Sequence, residues 1–332
     1  MRPQGTGWGR SPAAPKPSTF RGPATCAGPA MTATAPTASA EPRLRTYASF
    51  VRFEHTLFSL PLILAGVFSA PGPALPVTRW LLVALATVGA RTAGMSLNRI
   101  IDRHIDAKNP RTKVRELPAG KMGLREAILL LIASTTVYLA ACAILGPWFL
   151  KVAIVPLAVF ALYPYLKRFT PLCHFGVGTA LGLSPLAGFA AAHPDLARWQ
   201  PAVALAVFAL VWVSGFDIIY ATLDEDFDRS HGIHSMVVWL GRERALRVSW
   251  ALHLVALGAL AVALWSLLGV ANLFASVWGV VAVALFVTAC VLLTLEQRLA
   301  EHVDLAFFKI NVWVGAVVLA ITLAARMAAG GF

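Results

Sequence analysis

The sequence predicts an all-α, polytopic membrane protein of nine transmembrane helices, built as two pseudo-repeated four-helix halves plus one further helix. Three observations lead there. The chain is 58% hydrophobic and 13% charged, with a mean hydropathy of +0.70, whereas soluble domains carry about a quarter charged residues. Apolar runs close to the roughly 20 residues that cross a bilayer recur along it. An aspartate pair spaced D-x-x-x-D also recurs, as Asp102/Asp106 and Asp224/Asp228, offset by 122 residues (224 − 102). Each pair closes an even-numbered apolar run.

Residues 1–42 are rich in Pro, Ala, Gly, Thr and Ser, with Glu41 their only acid. Such a stretch cannot bury enough apolar surface to fold. A disordered tail or an over-extended start is expected, Met31 being a natural beginning, and the Pro and Gly content disfavours an amphipathic transit peptide. Residues 43–332 form the membrane domain. Its nine expected spans run over about 47–70, 79–101, 124–145, 148–166, 172–192, 201–222, 246–269, 272–295 and 305–328. The lipid bilayer is thus its first partner.

The net charge of +12 belongs to topology, not to nucleic acid, because the basic residues cluster in alternate loops. Arg103, His104, Lys108, Arg111, Lys113, Arg115, Lys121 and Arg125 follow the second span, and Lys167 and Arg168 the fourth. Arg229, Arg242, Arg244 and Arg247 follow the sixth, and Arg298 the eighth. Odd-numbered exits are short and nearly uncharged, as in Leu145-Gly146-Pro147-Trp148. The N-terminus and both aspartate pairs are therefore expected on the cytoplasmic side of the inner membrane, with the C-terminus outside. Cys26, Cys142, Cys173 and Cys290 are scattered and form neither a disulfide framework nor a zinc site.

The repeat extends past the aspartates. Each pair is followed by a polar stretch, then Gly and a basic residue before the next helix (Gly120-Lys121 and Gly241-Arg242). Parallel repeats of this kind place a site at their interface.

Asn98, Asp102 and Asp106 fall on one helical face at i, i+4 and i+8. An i,i+4 spacing separates two carboxylates by roughly 6 Å along the axis. An amide and two carboxylates are hard oxygen ligands suited to Mg²⁺, which prefers one or two carboxylates plus substrate phosphates. The second motif, Tyr220-Ala221-Thr222-Leu223-Asp224-Glu225-Asp226-Phe227-Asp228, offers the same pair. One such motif alone is as readily an ordinary solvated acidic turn. Two at matching places, each ending a membrane span, point to a metal and a diphosphate. Arg99, Arg103, Arg111, Arg115, Lys167 and Arg168 lie near enough to bind diphosphate oxygens, although most of them also serve topology.

These residues carry a resemblance. Asn98…Asp102…Asp106 with Asp224…Asp228, on nine spans over about residues 45–328, resembles the UbiA superfamily of intramembrane prenyltransferases. Asn109-Pro110-Arg111-Thr112 with Arg115-Glu116-Leu117-Pro118-Ala119-Gly120 is similar to the segment after that family's first motif. Gly232-Ile233-His234-Ser235 is similar to the segment after its second, and Tyr163…Lys167 matches its Y-x-x-x-K element. Glu116 and Met236-Val237 depart from the common pattern.

The resemblance implies a helical bundle with a central cavity roofed by two polar loops. Asp102, Asp106, Asp224 and Asp228 would be the catalytic residues and hold Mg²⁺, with Asn98 in support. Arg99, Arg111, Arg115, Tyr163, Lys167, Tyr220 and Ser235 would contact substrate. Phe53-Glu54-His55 and Gly215-Phe216-Asp217 are similar to the quinone branch, and Glu54 and His55 either face the aromatic acceptor or mark the rim of span one. The implied reaction is Mg²⁺-dependent transfer of a polyprenyl group from a polyprenyl diphosphate to an aromatic acid, of the 4-hydroxybenzoate or dihydroxynaphthoate type, in ubiquinone or menaquinone biosynthesis. A haem- or chlorin-type acceptor is the alternative within the superfamily. Outside it, a transporter is the competing class, but transporters place their acids near the midplane within broken helices.

Overall fold

Backbone groups inside hydrocarbon find no water to bond, so a chain this apolar crosses as helices. The computed structural model describes residues 43–52, 56–300 and 309–330. The expected tail and the residues Glu54 and His55 lie outside these. The described residues form thirteen helices: α1 (Arg43–Phe50), α2 (Thr56–Ser69), α3 (Val77–Lys108), α4 (Leu124–Leu145), α5 (Pro147–Val152), α6 (Ile154–Leu166), α7 (Cys173–Ala192), α8 (Gln200–Ala221), α9 (Glu225–Ser230), α10 (Met236–Leu240), α11 (Arg242–Asn272), α12 (Val277–Arg298) and α13 (Asn311–Ala328).

Among the described residues eight segments are long and apolar enough to cross a membrane: α3, α4, α5 with α6, α7, α8, α11 as far as Gly269, α12 and α13. The chain is an integral membrane protein. The first expected span, 47–70, is divided. It comprises α1, which ends where Arg52 turns to φ 50°, and then α2, of 14 residues. At 1.5 Å per residue α2 is about 21 Å long, short of the roughly 30 Å hydrocarbon layer. Hydropathy ran unbroken through this stretch because it reports apolar character and not helical continuity.

The two halves correspond where the repeat was expected. α3 packs on α4 across the first polar loop, and α8 packs on α11 across the second. Gly120 and Gly241, at φ 69° and 78°, turn the chain into the next helix in each half, a conformation costly for any other residue. α7 packs between α2 and α8, and α13 closes against α2, α11 and α12. A polar link runs through the apolar interior. Trp212 Nε1 donates to Asn311 Oδ1 at 3.0 Å, and Asn311 Nδ2 donates to Glu296 Oε1 at 2.9 Å.

α1 is fastened to the loop after α3 and to the first turn of α4. Tyr47 donates to Glu126 at 2.5 Å and Ser49 to Glu116 at 2.5 Å, while Phe50 packs with Met122 and Ala127. The carbonyls that a helix C-terminus leaves unpaired attract cations. Two arginines of α3 supply them: Arg99 Nε donates to Phe50 O at 3.3 Å, and Arg91 donates to Arg52 O at 3.0 Å.

Candidate active site

α3 is 32 residues, about 48 Å, and so overshoots the hydrocarbon and carries the first aspartates to its rim. Its i, i+4, i+8 face presents Asn98, Asp102 and Asp106 to one cavity of about 200 Å³. The second pair reaches the same cavity by another route. α8 stops at Ala221, Asp224 caps the short helix α9, and Asp228 lies within it. The Asp228 N–H donates to Asp224 O at 2.8 Å, so one helical turn still places both carboxylates together. Of the acids between them, Glu225 turns away to pair with Arg229 at 2.9 Å and Asp226 is exposed.

The cavity is also lined by Arg111, Arg115, Tyr163, Lys167, Tyr220 and Ser235, all expected there. Arg99 does not line it. One residue on from Asn98, it points about 100° round the helix and caps α1 instead. Glu116, which departed from the pattern, also faces away, holding Ser49. Met236 and Val237 fill a small core with Ile218 and Ala245.

Cations hold three of the four aspartates. Lys167 Nζ lies 2.7 Å from Asp102 Oδ2, to which Asn98 Nδ2 also donates at 3.2 Å. Arg115 bonds both oxygens of Asp106 at 2.8 Å. Arg111 forks onto Asp224, with Nε 2.8 Å from Oδ1 and the second arm on Oδ2. Its remaining nitrogen donates to Tyr220 Oη at 2.6 Å. Asn109, absent from the expected set, adds a bond to Asp224 at 2.9 Å. The loop after the first motif thus reaches across to the second, and joins the two halves at the site.

These pairs set the charge states. Burial alone would raise Asp224, but the hydrogen bonds from Arg111 and Asn109 outweigh it and hold the carboxyl below its ordinary range. At Asp228 burial, with the Asp224 charge beside it, outweighs the Lys167 charge and the Ser235 hydroxyl and pushes the carboxyl up to about 7.

The donors suit Mg²⁺ in kind. No three His, Cys, Asp or Glu side chains among the described residues are gathered into a metal cluster, but Mg²⁺ draws on substrate phosphates and not on an all-protein cage. Asp102, with a side chain only 2% exposed, keeps its Oδ1 without a hydrogen bond, 3.6 Å from Arg168. That buried oxygen and Asp228, which no lysine or arginine bridges among the described residues, are the open positions. Protonated Asp228 cannot ligate, so Mg²⁺ affinity in the presence of a prenyl diphosphate analogue is expected to fall as pH drops below about 7. Titration calorimetry between pH 6 and 8 measures this, and Asp228→Asn should flatten the dependence.

A further acid was missed. Asp217, on α8, lines the cavity and pairs with His174 on α7 at 2.7 Å. A lone Asp in an apolar run was a usable signal. His174, beside Cys173 with no telling spacing, gave none.

A family description, the UbiA prenyltransferase family, matches residues 59–313. Among curated relatives, a 4-hydroxybenzoate octaprenyltransferase of Vibrio atlanticus is 32% identical over 53% of this chain and 61% of its own. One of Photobacterium profundum is 31% identical over 60% and 70%. The mitochondrial 4-hydroxybenzoate polyprenyltransferase of Schizosaccharomyces pombe is 32% identical over 54% of this chain and 51% of its own. The matches thus span between 51% and 70% of these relatives' lengths. Among solved structures, a UbiA homolog from Aeropyrum pernix superposes with a TM-score of 0.70 at 33% identity, over 81% of this chain and 97% of that one. A UbiA homolog from Archaeoglobus fulgidus bound to GPP and Mg²⁺ shares the fold, with a TM-score of 0.65 at 18% identity over 86% of this chain and 99% of that one. With its aspartate pairs facing one cavity and its family match covering most of the membrane domain, this chain belongs to the UbiA prenyltransferase family.

Proposed function

We propose that the chain transfers a polyprenyl group from an allylic diphosphate to an aromatic acid of the 4-hydroxybenzoate or dihydroxynaphthoate type, with Mg²⁺, in respiratory quinone biosynthesis. The observation that carries this is the pairing in the cavity: four aspartates from two helix ends stand with Arg111, Arg115 and Lys167 among them. Carboxylates that can take up a metal and cations that can take up phosphate are brought within a few bonds of each other. The names of the curated relatives support the acceptor class.

Bound Mg²⁺ would neutralise charge developing on the departing diphosphate. Asp102, Asp106, Asp224 and Asp228 would hold it, with Asn98 orienting Asp102. Arg111, Arg115 and Lys167, released from the aspartates, would bind the remaining phosphate oxygens, two of them through guanidinium forks. The apolar helices below exclude water, which would otherwise capture the allylic cation as an alcohol. The acids sit at helix ends amid basic residues, which favours this reading over transport. The basic loops support a cytoplasmic site on the inner membrane, with the N-terminus inside and the C-terminus outside.

Radiolabelled polyprenyl diphosphate, Mg²⁺ and purified protein in liposomes, with a panel of 4-hydroxybenzoate, dihydroxynaphthoate and a haem, test the proposal. Labelled product is expected with one of the aromatic acids. Product with haem alone, or with no acceptor at all, overturns it.

A further inference from the structure

Asp217 is a fifth carboxylate lining the cavity, and it belongs to neither aspartate pair. It lies four residues, about 6 Å, inside the end of α8 at Ala221, whereas Asp224 stands beyond that end. Its bonding differs from that of the other acids. Asp102, Asp106 and Asp224 each face a lysine or arginine, whereas Asp217 Oδ2 faces His174 Nδ1 at 2.7 Å. The other ring nitrogen, Nε2, is 3.2 Å from the backbone N–H of Met236. An amide N–H can only donate, so Nε2 presents its lone pair and the ring proton is on Nδ1, pointing at Asp217. Both nitrogens of His174 are thus engaged, and its side chain is 3% exposed. It is not free to shuttle a proton. It fixes one carboxylate oxygen and leaves Oδ1 of Asp217, on a side chain 26% exposed, with no hydrogen bond among the described residues.

We propose that Asp217 is the base that takes the ring proton of the aromatic acceptor, positioned for that task by His174. This rests on the prenyl-transfer reading. In the step, the allylic C–O bond breaks and its electron pair leaves with the diphosphate. A π pair of the ring forms the new C–C bond to the allylic carbon. The C–H pair at the attacked carbon returns to the ring, and the proton passes to Asp217 Oδ1. Depth fits the order of groups: with the diphosphate at the level of the two motifs, the allylic carbon and its acceptor lie below it, towards Asp217. Chemistry fits as well. Without a base the ring cation reverts by losing the prenyl group, and water, the usual base, is what the cavity must exclude. Asp102, Asp106 and Asp224 are committed to cations and Asp228 stands at the diphosphate level with them, whereas Asp217 keeps a free oxygen deeper in the cavity.

Three measurements on Asp217→Asn in liposomes test this: turnover, binding of a non-ionising prenyl thiodiphosphate with Mg²⁺, and turnover with ring-deuterated acceptor. Turnover is expected to fall about 10²- to 10⁴-fold, the usual range for losing a general base. Analogue binding is expected to stay unchanged, and a primary deuterium isotope effect absent from the wild type is expected to appear. His174→Ala is expected to show the same isotope effect with a smaller loss of turnover, which a purely structural strut would not produce. Near-normal turnover in Asp217→Asn overturns the proposal, as does loss of turnover without an isotope effect or together with loss of analogue binding. Should Asp217→Asn fail to accumulate, Asp217→Glu decides: slowed transfer with the isotope effect supports the role, and wild-type transfer overturns it. Wild-type protein that prenylates no aromatic acid sinks the underlying reading instead.

Discussion

Asp102→Asn and Asp224→Asn are each expected to lower prenyl transfer by about 10³-fold or more, equivalent to roughly 4 kcal/mol of lost transition-state stabilisation. The shape of the side chain survives both changes, and only its charge goes. At Asp102 that charge offsets Lys167 at 2.7 Å in a pocket where the carboxylate is almost wholly buried. At Asp224 it meets the fork of Arg111 and the amide of Asn109. Metal and diphosphate together bring more charge than either protein partner, so the loss falls on their assembly and not on the helix ends. Excess Mg²⁺ should restore part of the activity by mass action. Turnover across a Mg²⁺ series, with monodispersity checked for each variant, measures this. Near-normal transfer in both variants sinks the metal-diphosphate reading.

Much of this site was legible because helical periodicity maps spacing onto faces. Asn98, Asp102 and Asp106 share one face at i, i+4 and i+8 and do line one cavity. The repeat located the second pair, although the local structure differs: a turn and the short helix α9 do there what a continuous helix does on α3. Periodicity also explains the miss at Arg99, which was grouped with the phosphate-facing cations by composition while its helical position turns it towards α1. Asn109 and His174 were not legible. Each acts across more than forty residues of sequence, Asn109 on Asp224 and His174 on Asp217, and no local spacing encodes such a partner. The division of the first span was hidden for a related reason, since α1 and α2 are continuous in hydropathy but not in backbone.

Gly66→Val and Gly188→Val are each expected to remove most of the folded protein, and the reason lies where α2 crosses α7. A Cβ built at Gly66 would sit 2.1 Å from Pro185 O, and one at Gly188 would sit 2.1 Å from Ile63 O. Both obstacles are backbone, so no rotamer change relieves them. The helices must separate, and packing is what holds membrane helices together once both are in lipid. Overpacking of this kind costs about 1–3 kcal/mol even where side chains can yield, and more is expected where they cannot. α2 has little else to hold it: it is about 21 Å long and depends on α7 and α13 for its position. The same crossing steadies α7, whose first turn carries His174 into the cavity. The monodisperse fraction in mild detergent and the midpoint of thermal unfolding measure the effect. As a control, a Cβ at Gly258 meets nothing within 4 Å, so Gly258→Ala should leave both unchanged or slightly improved. If Gly66→Val and Gly188→Val behave like Gly258→Ala, the close α2–α7 crossing is refuted.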